Sequence, residues 1–574
     1  MGAVTARVVR VSGSLVEVEQ LPAVAIFDIV ALGARRLPGE VVAIDDGLVT
    51  VQAYEDTAGL APGAPAESSG APLSARLGPG LLGGVFDGLL RPLSDAGTWL
   101  SPGASGDSAD EHCWEFTPTT RVGVHAQSGD ELGVVTTGGP LTVPILVPPT
   151  LDGIVDSVAA PGRYRAEAVI ASVSGTAVPL SERWPVRRPR PSRTRIDDVE
   201  VLHTGQRVLD MLFPIARGST AAVPGGFGTG KTMLLQQIAK WCDADVIVYV
   251  GCGERGNEMA DVVQDLASLT DPRTGHPLAA RTVVIANTSN MALMARESSI
   301  YSGVTVAEYF RDLGHHVVVI ADSTSRWAEA LREFASRSGE LPAEEGYPAD
   351  LASALAAFYE RSGQVVTLGG RRGSVTIVGA VSPSGGDMSE PVTAQTLRFV
   401  RAVWSLDRDL AYARHYPAVA WSGSFSTDTA AIAARRARDG DPGWTRRRAR
   451  ISSLLADADR LDALAELVGR HSMPAAERVV MLGGRLLREG VLQQSALSDN
   501  DGFCSAAKGA ALADAVLAVI DRCTSLVDAG VEADALEAVD FGPLVQAREE
   551  AGPDDLDRVE RIRDDMLARL EELS

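Results

Sequence analysis

The run most able to do chemistry is glycine-rich and extends from Gly225 to Thr232, with the sequence Gly-Gly-Phe-Gly-Thr-Gly-Lys-Thr. It fits the phosphate-binding pattern G-x-x-x-x-G-K-[ST]; an apolar run, Ala221 to Val223, precedes it and a helical pattern, Met233 to Trp241, follows. Glycines let backbone N–H groups turn toward phosphate oxygens, and the positive end of the next helix favours the same anion. The predicted nucleotide-binding residues here are Gly225, Gly226, Phe227, Gly228, Thr229, Gly230, Lys231, Thr232 and Met233.

Two residues of this run have separate predicted roles. Lys231 is placed to reach the β- and γ-phosphates, and the Thr232 hydroxyl to ligate Mg²⁺. Only Lys231, Lys240 and Lys508 are lysines, and nearly every other basic residue is arginine. Lysine is thus rare in this chain, and its presence at position 231 strengthens the prediction of an ATP or ADP site with Mg²⁺.

Two acids follow apolar runs and complete the predicted site. Asp322 follows the run Val317 to Ala321, at the strand end where a magnesium-binding acid belongs. Glu254 lies shortly after the run Val246 to Val250, where a carboxylate can orient water in line with the γ-phosphate. Taken alone, Asp322 could be a helix N-cap and Glu254 a surface acid; next to the glycine-rich loop, metal binding and catalysis are favoured.

The elements that must position these residues belong to a chain of several domains, because 574 residues exceed one hydrophobic core. Apolar strands alternating with helices predict a parallel sheet covered on both faces. The predicted fold is multidomain α/β. It comprises an N-terminal β-barrel (1–70), a connecting segment (71–113), an inserted β-rich domain (114–186), a central P-loop, RecA-like parallel-sheet domain (187–440) and a C-terminal helical domain (441–574).

Two stretches of this plan are interpreted from composition. The inserted domain resembles the flattened barrel-sandwich of lipoyl and biotinyl domains, but it contains no lysine to carry such a cofactor and is interpreted as structural. The proline- and arginine-rich run from Pro185 to Arg195 is interpreted as a linker.

Composition excludes several other classes. The formal net charge of -22 weighs against a general nucleic-acid binder, since such a chain repels phosphate backbones. The five cysteines are scattered, without a C-x-x-C pair, so a disulfide framework and a zinc site are not expected. Neither a leader pattern nor an apolar run of the ~20 residues that span a bilayer occurs. We expect a cytoplasmic protein whose contact with a membrane goes through partners.

The motifs together closely resemble the catalytic A subunit of V/A-type (vacuolar and archaeal-type) rotary ATPases. The matching segments are Gly225-Gly-Phe-Gly-Thr-Gly-Lys-Thr, Gly253-Glu-Arg-Gly-Asn-Glu-Met259, Asp322-Ser-Thr-Ser-Arg-Trp-Ala-Glu-Ala330, Pro342-Ala-Glu-Glu-Gly-Tyr-Pro348, Ser382-Pro-Ser-Gly-Gly-Asp-Met-Ser-Glu-Pro391, His415-Tyr-Pro-Ala418, Leu77-Gly-Pro-Gly-Leu-Leu82, Phe86-Asp-Gly88, Trp114-Glu-Phe-Thr-Pro118 and Trp184-Pro-Val-Arg-Arg-Pro189. They spread over nearly the whole chain.

The resemblance implies residue roles and partners. Lys231 and Glu254 are catalytic, Glu254 activating water. Arg255 and Arg326 contact the γ-phosphate region. Tyr416 and Phe503 form an aromatic slot for adenine. Three copies would alternate with three B subunits in an A₃B₃ ring, with ATP at the A–B interface. A rotor stalk, stator subunits and a membrane ion-translocating sector complete the machine, which binds no nucleic acid.

Three alternatives stand beside this interpretation. A non-catalytic member of the same machine would lack the catalytic carboxylate or an intact loop. An F-type or export ATPase would join the Phe86 region to Gly225 by a shorter path, without the inserted domain. A ring-shaped RNA translocase would need exposed aromatics, yet the first 70 residues hold only Phe27 and Tyr54. The chain also departs from the family at Ala394-Gln395, where Gln-Asn is usual, and in its diverged C-terminus.

Overall fold

The computed structural model describes residues 6–93, 112–271, 273–339 and 341–573. The first strands form a six-stranded antiparallel sheet in the order β1-β2-β5-β4-β3-β6. The sheet closes because the Val8 N–H donates to the Ala64 carbonyl at 2.9 Å and the Gly63 N–H donates to the Val8 carbonyl at 2.7 Å. The strands are β1 (Arg7–Ser12), β2 (Leu15–Glu19), β3 (Asp28–Leu32), β4 (Leu37–Asp45), β5 (Leu48–Ala53) and β6 (Ala66–Pro72). The predicted N-terminal barrel is confirmed.

The next residues, predicted as a connecting segment, contribute strands to later sheets. They form β7 (Ser74–Leu77) and β8 (Val85–Phe86). The inserted domain follows as β9 (Trp114–Pro118), β10 (His125–Ala126), β11 (Glu131–Thr136), β12 (Thr142–Leu146), β13 (Gly153–Val158), β14 (Gly162–Tyr164), β15 (Val169–Val173), β16 (Thr176–Pro179) and β17 (Glu182–Pro185). Strand β17 returns to pair with β7, so the insertion leaves and re-joins the molecule at neighbouring strands.

The inserted domain is a sandwich of two four-stranded sheets. Their orders are β10-β13-β15-β16 and β12-β11-β9-β14. The two sheets bury apolar side chains between them, and Phe116, Leu132, Val155 and Val173 are fully buried. This arrangement confirms the inserted β-rich domain.

The central domain is built around the predicted parallel sheet. Its strands are β18 (Thr194–Arg195), β19 (Val201–Leu202), β20 (Ile215–Ala216), β21 (Thr220–Pro224), β22 (Val246–Glu254), β23 (Thr282–Thr288), β24 (His316–Asp322), β25 (Gly363–Val366), β26 (Arg372–Val381), β27 (Ala402–Val403) and β28 (Phe425–Ser426). Its helices are α1 (Arg207–Leu212), α2 (Lys231–Trp241), α3 (Gly256–Ser268), α4 (Leu293–Asp312), α5 (Thr324–Ser338), α6 (Leu351–Tyr359), α7 (Pro391–Phe399), α8 (Arg408–Tyr412) and α9 (Thr429–Arg438).

The order of the central sheet fixes where the site must lie. The strands run β28-β27-β21-β26-β24-β22-β23-β8, and those from β27 to β8 are parallel. Strands β21, β22 and β24 read as unbroken apolar runs because helices cover both faces. Their carboxyl ends lie at one edge of the sheet, and they carry the glycine-rich loop, Glu254 and Asp322. The short strand β8 forms the far edge of this sheet. It lies in the segment that was predicted only to connect two domains.

The run Pro185 to Arg195 is not a loose linker. The Arg190 side chain is 4% exposed and pairs with Glu182 and Asp312, each at 2.6 Å. The Arg187 guanidinium binds both carboxylate oxygens of Glu297, at 2.9 and 2.8 Å. The interpretation from proline and arginine content was therefore wrong, because these arginines are held by acids from distant parts of the chain.

The C-terminal part is helical, as expected. Its helices are α10 (Trp444–Val468), α11 (Ala475–Leu487), α12 (Ala506–Asp528), α13 (Ala533–Glu537), α14 (Gly542–Glu550) and α15 (Leu556–Glu571). The apolar stripe of α15 faces the core, with Val559, Ile562, Met566 and Leu570 all buried. Among the residues that the structure describes, no helix combines the length and the apolar character that a bilayer crossing requires.

Candidate functional site

The glycine-rich loop connects β21 to α2 and is shaped to hold phosphate. Gly228 and Gly230 have φ of 79° and 87°, a left-handed backbone that favours glycine. Gly230, the N-cap residue of α2, has no side chain to bond the first N–H groups of the helix, which stay open to an anion. The Lys231 ammonium donates to the carbonyls of Gly225 and Gly226, at 2.5 and 3.2 Å. Lys231 is thus folded against the loop that it serves.

Thr232 and Asp322 meet beside the loop. The Thr232 hydroxyl donates to Asp322 Oδ2 at 3.1 Å, and the Tyr249 hydroxyl donates to the same oxygen at 3.2 Å. Asp322 is 2% exposed, and burial raises the pKa of its carboxyl. Mg²⁺ prefers hard oxygen ligands and usually takes only one or two carboxylates from the protein. This donor pair fits such an ion, and a bound cation would relieve the cost of the buried carboxylate.

Glu254 is the last residue of β22 and is half-buried. Burial, the charge of Asp322 and a hydrogen bond with Glu258 raise the pKa of Glu254 to about 8. The residue before it, Gly253, has a left-handed backbone with φ of 75°. A Cβ at that position would lie 3.0 Å from the Arg326 Cβ, so the backbone that leads to Glu254 passes close to α5. A carboxyl poised near neutral pH at the edge of a phosphate site is suited to general-base work.

The two predicted arginines are placed differently. Burial lowers the pKa of Lys231, and the nearby charge of Arg326, on α5, acts in the same direction; Arg326 also pairs with Glu329 at 3.1 Å. The Arg255 side chain is 67% exposed, 3.8 Å from Glu258 and over the Phe227 ring at 5.9 Å. The structure therefore brings Arg326 into the electrostatic environment of Lys231 and leaves Arg255 at the solvent-facing rim.

The remaining loop residues divide into an outer and an inner set. The Phe227 and Met233 side chains are exposed. Thr229 is buried and its hydroxyl donates to the Gly226 carbonyl at 2.9 Å, which braces the loop. The exposed pair leaves an apolar surface around the mouth of the site.

The predicted aromatic pair is not in ring contact within the part of the chain that the structure describes. Tyr416 lies against the start of α2, where a Cβ on Gly230 would be 3.5 Å from its ring. Phe503 packs on Trp241, the last residue of α2, with ring centroids 5.5 Å apart. Tyr416 thus contacts the start of α2, and Phe503 contacts the side chain of its last residue.

The sequence analysis missed three side chains, of which Tyr249 and Arg296 lie at the site. Tyr249 binds Asp322 from within β22, where it reads as one more apolar strand residue. Arg296 lies beside Gly253, at 3.1 Å from the position of a Cβ there, although it is distant in sequence. Leu497 is 95% exposed on the segment that also carries Phe503. Its unusual exposure became visible only in three dimensions.

Family models match four parts of the chain. They are the "ATP synthase alpha/beta family, beta-barrel domain" at residues 8–70 and the "ATPsynthase alpha/beta subunit barrel-sandwich domain" at 108–187. The family's nucleotide-binding domain matches 205–426, and the "C-terminal domain of V and A type ATP synthase" matches 437–535.

Whole-length relatives agree with these matches. The chain is 51% identical over 528 residues to the "V-type ATP synthase alpha chain" of Anaeromyxobacter dehalogenans, covering 91% of each chain. It is 43% identical over 579 residues to the A subunit of the A-type ATP synthase of Thermococcus onnurineus, covering 99% of each.

A solved structure also shares the fold. It is the assembled ATPase EscN of the enteropathogenic E. coli type III secretion system, with a TM-score of 0.63 and 21% identity. The alignment covers 90% of this chain and 100% of EscN. At that identity the likeness shows the architecture alone.

Proposed function

The chain belongs to the A (alpha) subunits of the V- and A-type ATP synthases, the ATP-hydrolysing and ATP-synthesising subunits of rotary ATPases, and from this premise we propose how its site turns over Mg-ATP. The carrying observation is the meeting of the P-loop, Glu254 and Asp322 at one edge of the central sheet. The inserted domain and the V/A-type C-terminal match favour this family over the F-type and export alternatives.

Each residue has a step in the proposed mechanism. The N–H groups of the loop and Lys231 hold the β- and γ-phosphates, which fixes the phosphorus for in-line attack. Glu254 orients a water and accepts its proton as the bond to the γ-phosphorus forms and the bond to ADP breaks. Arg326, with Arg255 moving in from the rim, balances the charge that spreads over the γ-phosphate oxygens. Synthesis follows the same path in reverse.

Thr232 and Asp322 would hold a magnesium ion at this site. Such an ion would supply positive charge to offset that of the nucleotide phosphates. The Tyr249 hydroxyl, which donates to Asp322 Oδ2 at 3.2 Å, fixes the carboxylate in place. The chain's own contribution is therefore a prepared pair of oxygen donors.

The proposed assembly is an A₃B₃ ring in which copies of this chain alternate with B subunits, with ATP at their interface. A rotor stalk and stator subunits would connect the ring to a membrane sector that moves ions. The chain would then work at the cytoplasmic face of a membrane, held there by these partners. The rim position of Arg255 and the exposed Phe227 support an interface at the mouth of the site.

Nucleotide binding by the full-length chain tests the proposed site. We expect MgATP to bind more tightly than ATP in EDTA. Removing one stacking ring, in Tyr416→Ala or Phe503→Ala, should weaken MgATP binding about 5- to 150-fold without changing the magnesium dependence, as for loss of base–aromatic stacking. Tyr412→Ala, which removes an exposed ring, is the control. Unchanged affinity in Phe503→Ala would return Phe503 to a packing role against Trp241.

The raised pKa of Glu254 predicts an acid limb in activity. The carboxyl must be ionised to accept a proton, so kcat/KM of the assembled enzyme should fall as pH drops below about 8 and level off above it. The expected slope is about tenfold per pH unit, since one proton blocks one base. A profile of kcat/KM from pH 6 to 9 checks this. A flat profile over that range would argue against Glu254 as the base.

A further inference from the structure

A second buried acid lies outside the catalytic pair and joins two domains. Asp501 is fully buried. Its Oδ1 accepts from Arg207 on α1 at 2.5 Å, and its Oδ2 accepts from Arg548 on α14 at 2.5 Å. The Ser495 N–H donates to the same Oδ2 at 2.7 Å. A carboxylate held in this way couples the nucleotide domain, the C-terminal helices and its own segment, residues 493–503, here called the base segment.

Arg207 also holds the base segment and the residues that lead into it. Its Nε donates to the Val491 carbonyl at 2.7 Å and its Nη2 to the Gln493 carbonyl at 2.5 Å. Its backbone N–H donates to Gln494 Oε1 at 2.8 Å. The path of the segment is thus set largely by one guanidinium, whose charge is balanced by Asp501.

Lys508 fixes the C-terminal part of the base segment, next to Asp501. Its ammonium is fully buried and donates to the carbonyls of Asn500, Arg548 and Ala551, at 2.6, 2.9 and 2.8 Å. All three donors of the ammonium are used. Lys508 therefore holds the residue before Asp501 against the end of α14, which carries Arg548.

The base segment contains Phe503 and is bonded to Tyr416, so it joins the two aromatic residues of the proposed adenine slot. The Gln494 N–H donates to the Tyr416 carbonyl at 2.8 Å. On the other side, Gln494 Nε2 donates to the Gly205 carbonyl at 2.9 Å. A Cβ on Gly205 would be 3.0 Å from the Phe503 ring, so that ring is seated on this glycine. Phe503 belongs to the segment, and the bond from the Ser495 N–H to Asp501 Oδ2 closes the segment on itself. A change in the shape of the segment would therefore move Phe503 relative to Tyr416.

We propose that Asp501 is a positioning residue that sets the separation of Tyr416 and Phe503 and so governs recognition of the nucleotide base. It acts through Arg207, Arg548 and the base segment, without touching the phosphates or the reacting atoms. The proposal rests on the adenine slot proposed above. It implies that affinity for nucleotides depends on Asp501, whereas affinity for a triphosphate without a base does not.

Comparing two ligands on the full-length chain tests the proposal. Dissociation constants are measured for MgADP and for magnesium tripolyphosphate, which lacks the base. In Asp501→Asn, which keeps the shape but not the charge, we expect the MgADP constant to rise about tenfold. The tripolyphosphate constant should stay within about twofold of wild type. Arg548→Gln removes one of the two arginine partners of Asp501. It should raise the ratio of the MgADP constant to the tripolyphosphate constant as well, but by a smaller factor than Asp501→Asn.

A matched control separates positioning from general damage. Asp428 is also a buried aspartate, accepting from Ser219 Oγ and Arg401 Nε at 2.6 Å each, and it makes no bond to the base segment. Asp428→Asn should leave the ratio of the two constants unchanged. In the assembled enzyme, Asp501→Asn should raise KM for MgATP and keep kcat within about twofold of wild type.

The outcomes divide clearly. A wild-type ratio in both Asp501→Asn and Arg548→Gln would overturn the proposal, as would equal losses for both ligands. If the ratio also stays at its wild-type value in Tyr416→Ala and Phe503→Ala, the adenine slot itself is wrong. If the aromatic variants shift the ratio and the Asp501 variant does not, the slot stands and only the positioning role of Asp501 fails.

Discussion

Mixed with the B subunit that we propose as its partner, the chain is expected to hydrolyse MgATP about 10³–10⁵ times faster than it does alone. The reason is the arginine finger that a neighbouring protein supplies to the transition state in related NTPases, with an effect of that size. Among the residues that the structure describes, Lys231 and Arg326 bring positive charge to the two acids of the site, whereas the Arg255 side chain is 67% exposed. Phosphate release should be measured for the chain, for B and for the separated ring-sized complex.

Two controls make this result decisive. B with its arginine finger replaced by alanine should form the ring and stay near the rate of the chain alone. Binding of MgADP to the chain alone should be intact, because the phosphate cradle lies entirely within it. Equal turnover in the isolated chain and the ring would mean a self-sufficient site, and the export and translocase alternatives would return.

Glu254→Gln is expected to lower turnover of the assembled enzyme by roughly 10²–10⁴, as for loss of a general base. The amide has the shape of the carboxylate but cannot accept the proton of the attacking water. Nucleotide binding should persist, because Lys231, Thr232 and Asp322 are untouched. Steady-state hydrolysis and MgADP binding, measured on the same preparation, separate the two properties.

Glu333→Gln is the control for this variant. Glu333 lies on α5, is exposed and pairs with Arg337, so its loss should not change turnover. Wild-type turnover in the Glu254 variant would remove its catalytic role. A matching loss of MgADP binding would instead assign Glu254 to ligand binding.

Contiguous features were predictable from the sequence, and contacts between distant segments were not. The P-loop and the two strand-end acids could be placed together because parallel strands present their carboxyl ends at one edge. The packing of Pro185 to Arg195 could not, since the acids that hold Arg187 and Arg190 lie more than a hundred residues away in Glu297 and Asp312. Composition alone made that run look like a linker.

The proposed adenine slot is a second case in which the sequence does not reveal a contact between distant segments. Tyr416 and Phe503 are predicted by resemblance, which does not report the distance between two loops. The structure adds that Gln494 ties one loop to the other and that Gly205 seats the Phe503 ring. The role proposed for Asp501 could not be predicted, because the sequence does not distinguish a buried aspartate from a surface one.

The edge strand β8 has a consequence for how the protein is made. Val85 pairs with Val284, which emerges from the ribosome 199 residues later (284 − 85). At a synthesis rate of ~5–20 residues per second, the interval is about 10–40 s. During that time the barrel and the inserted sandwich can fold, while β8 has no partner. The central sheet is thus completed late in translation, because its far edge forms only after Val284 has left the ribosome.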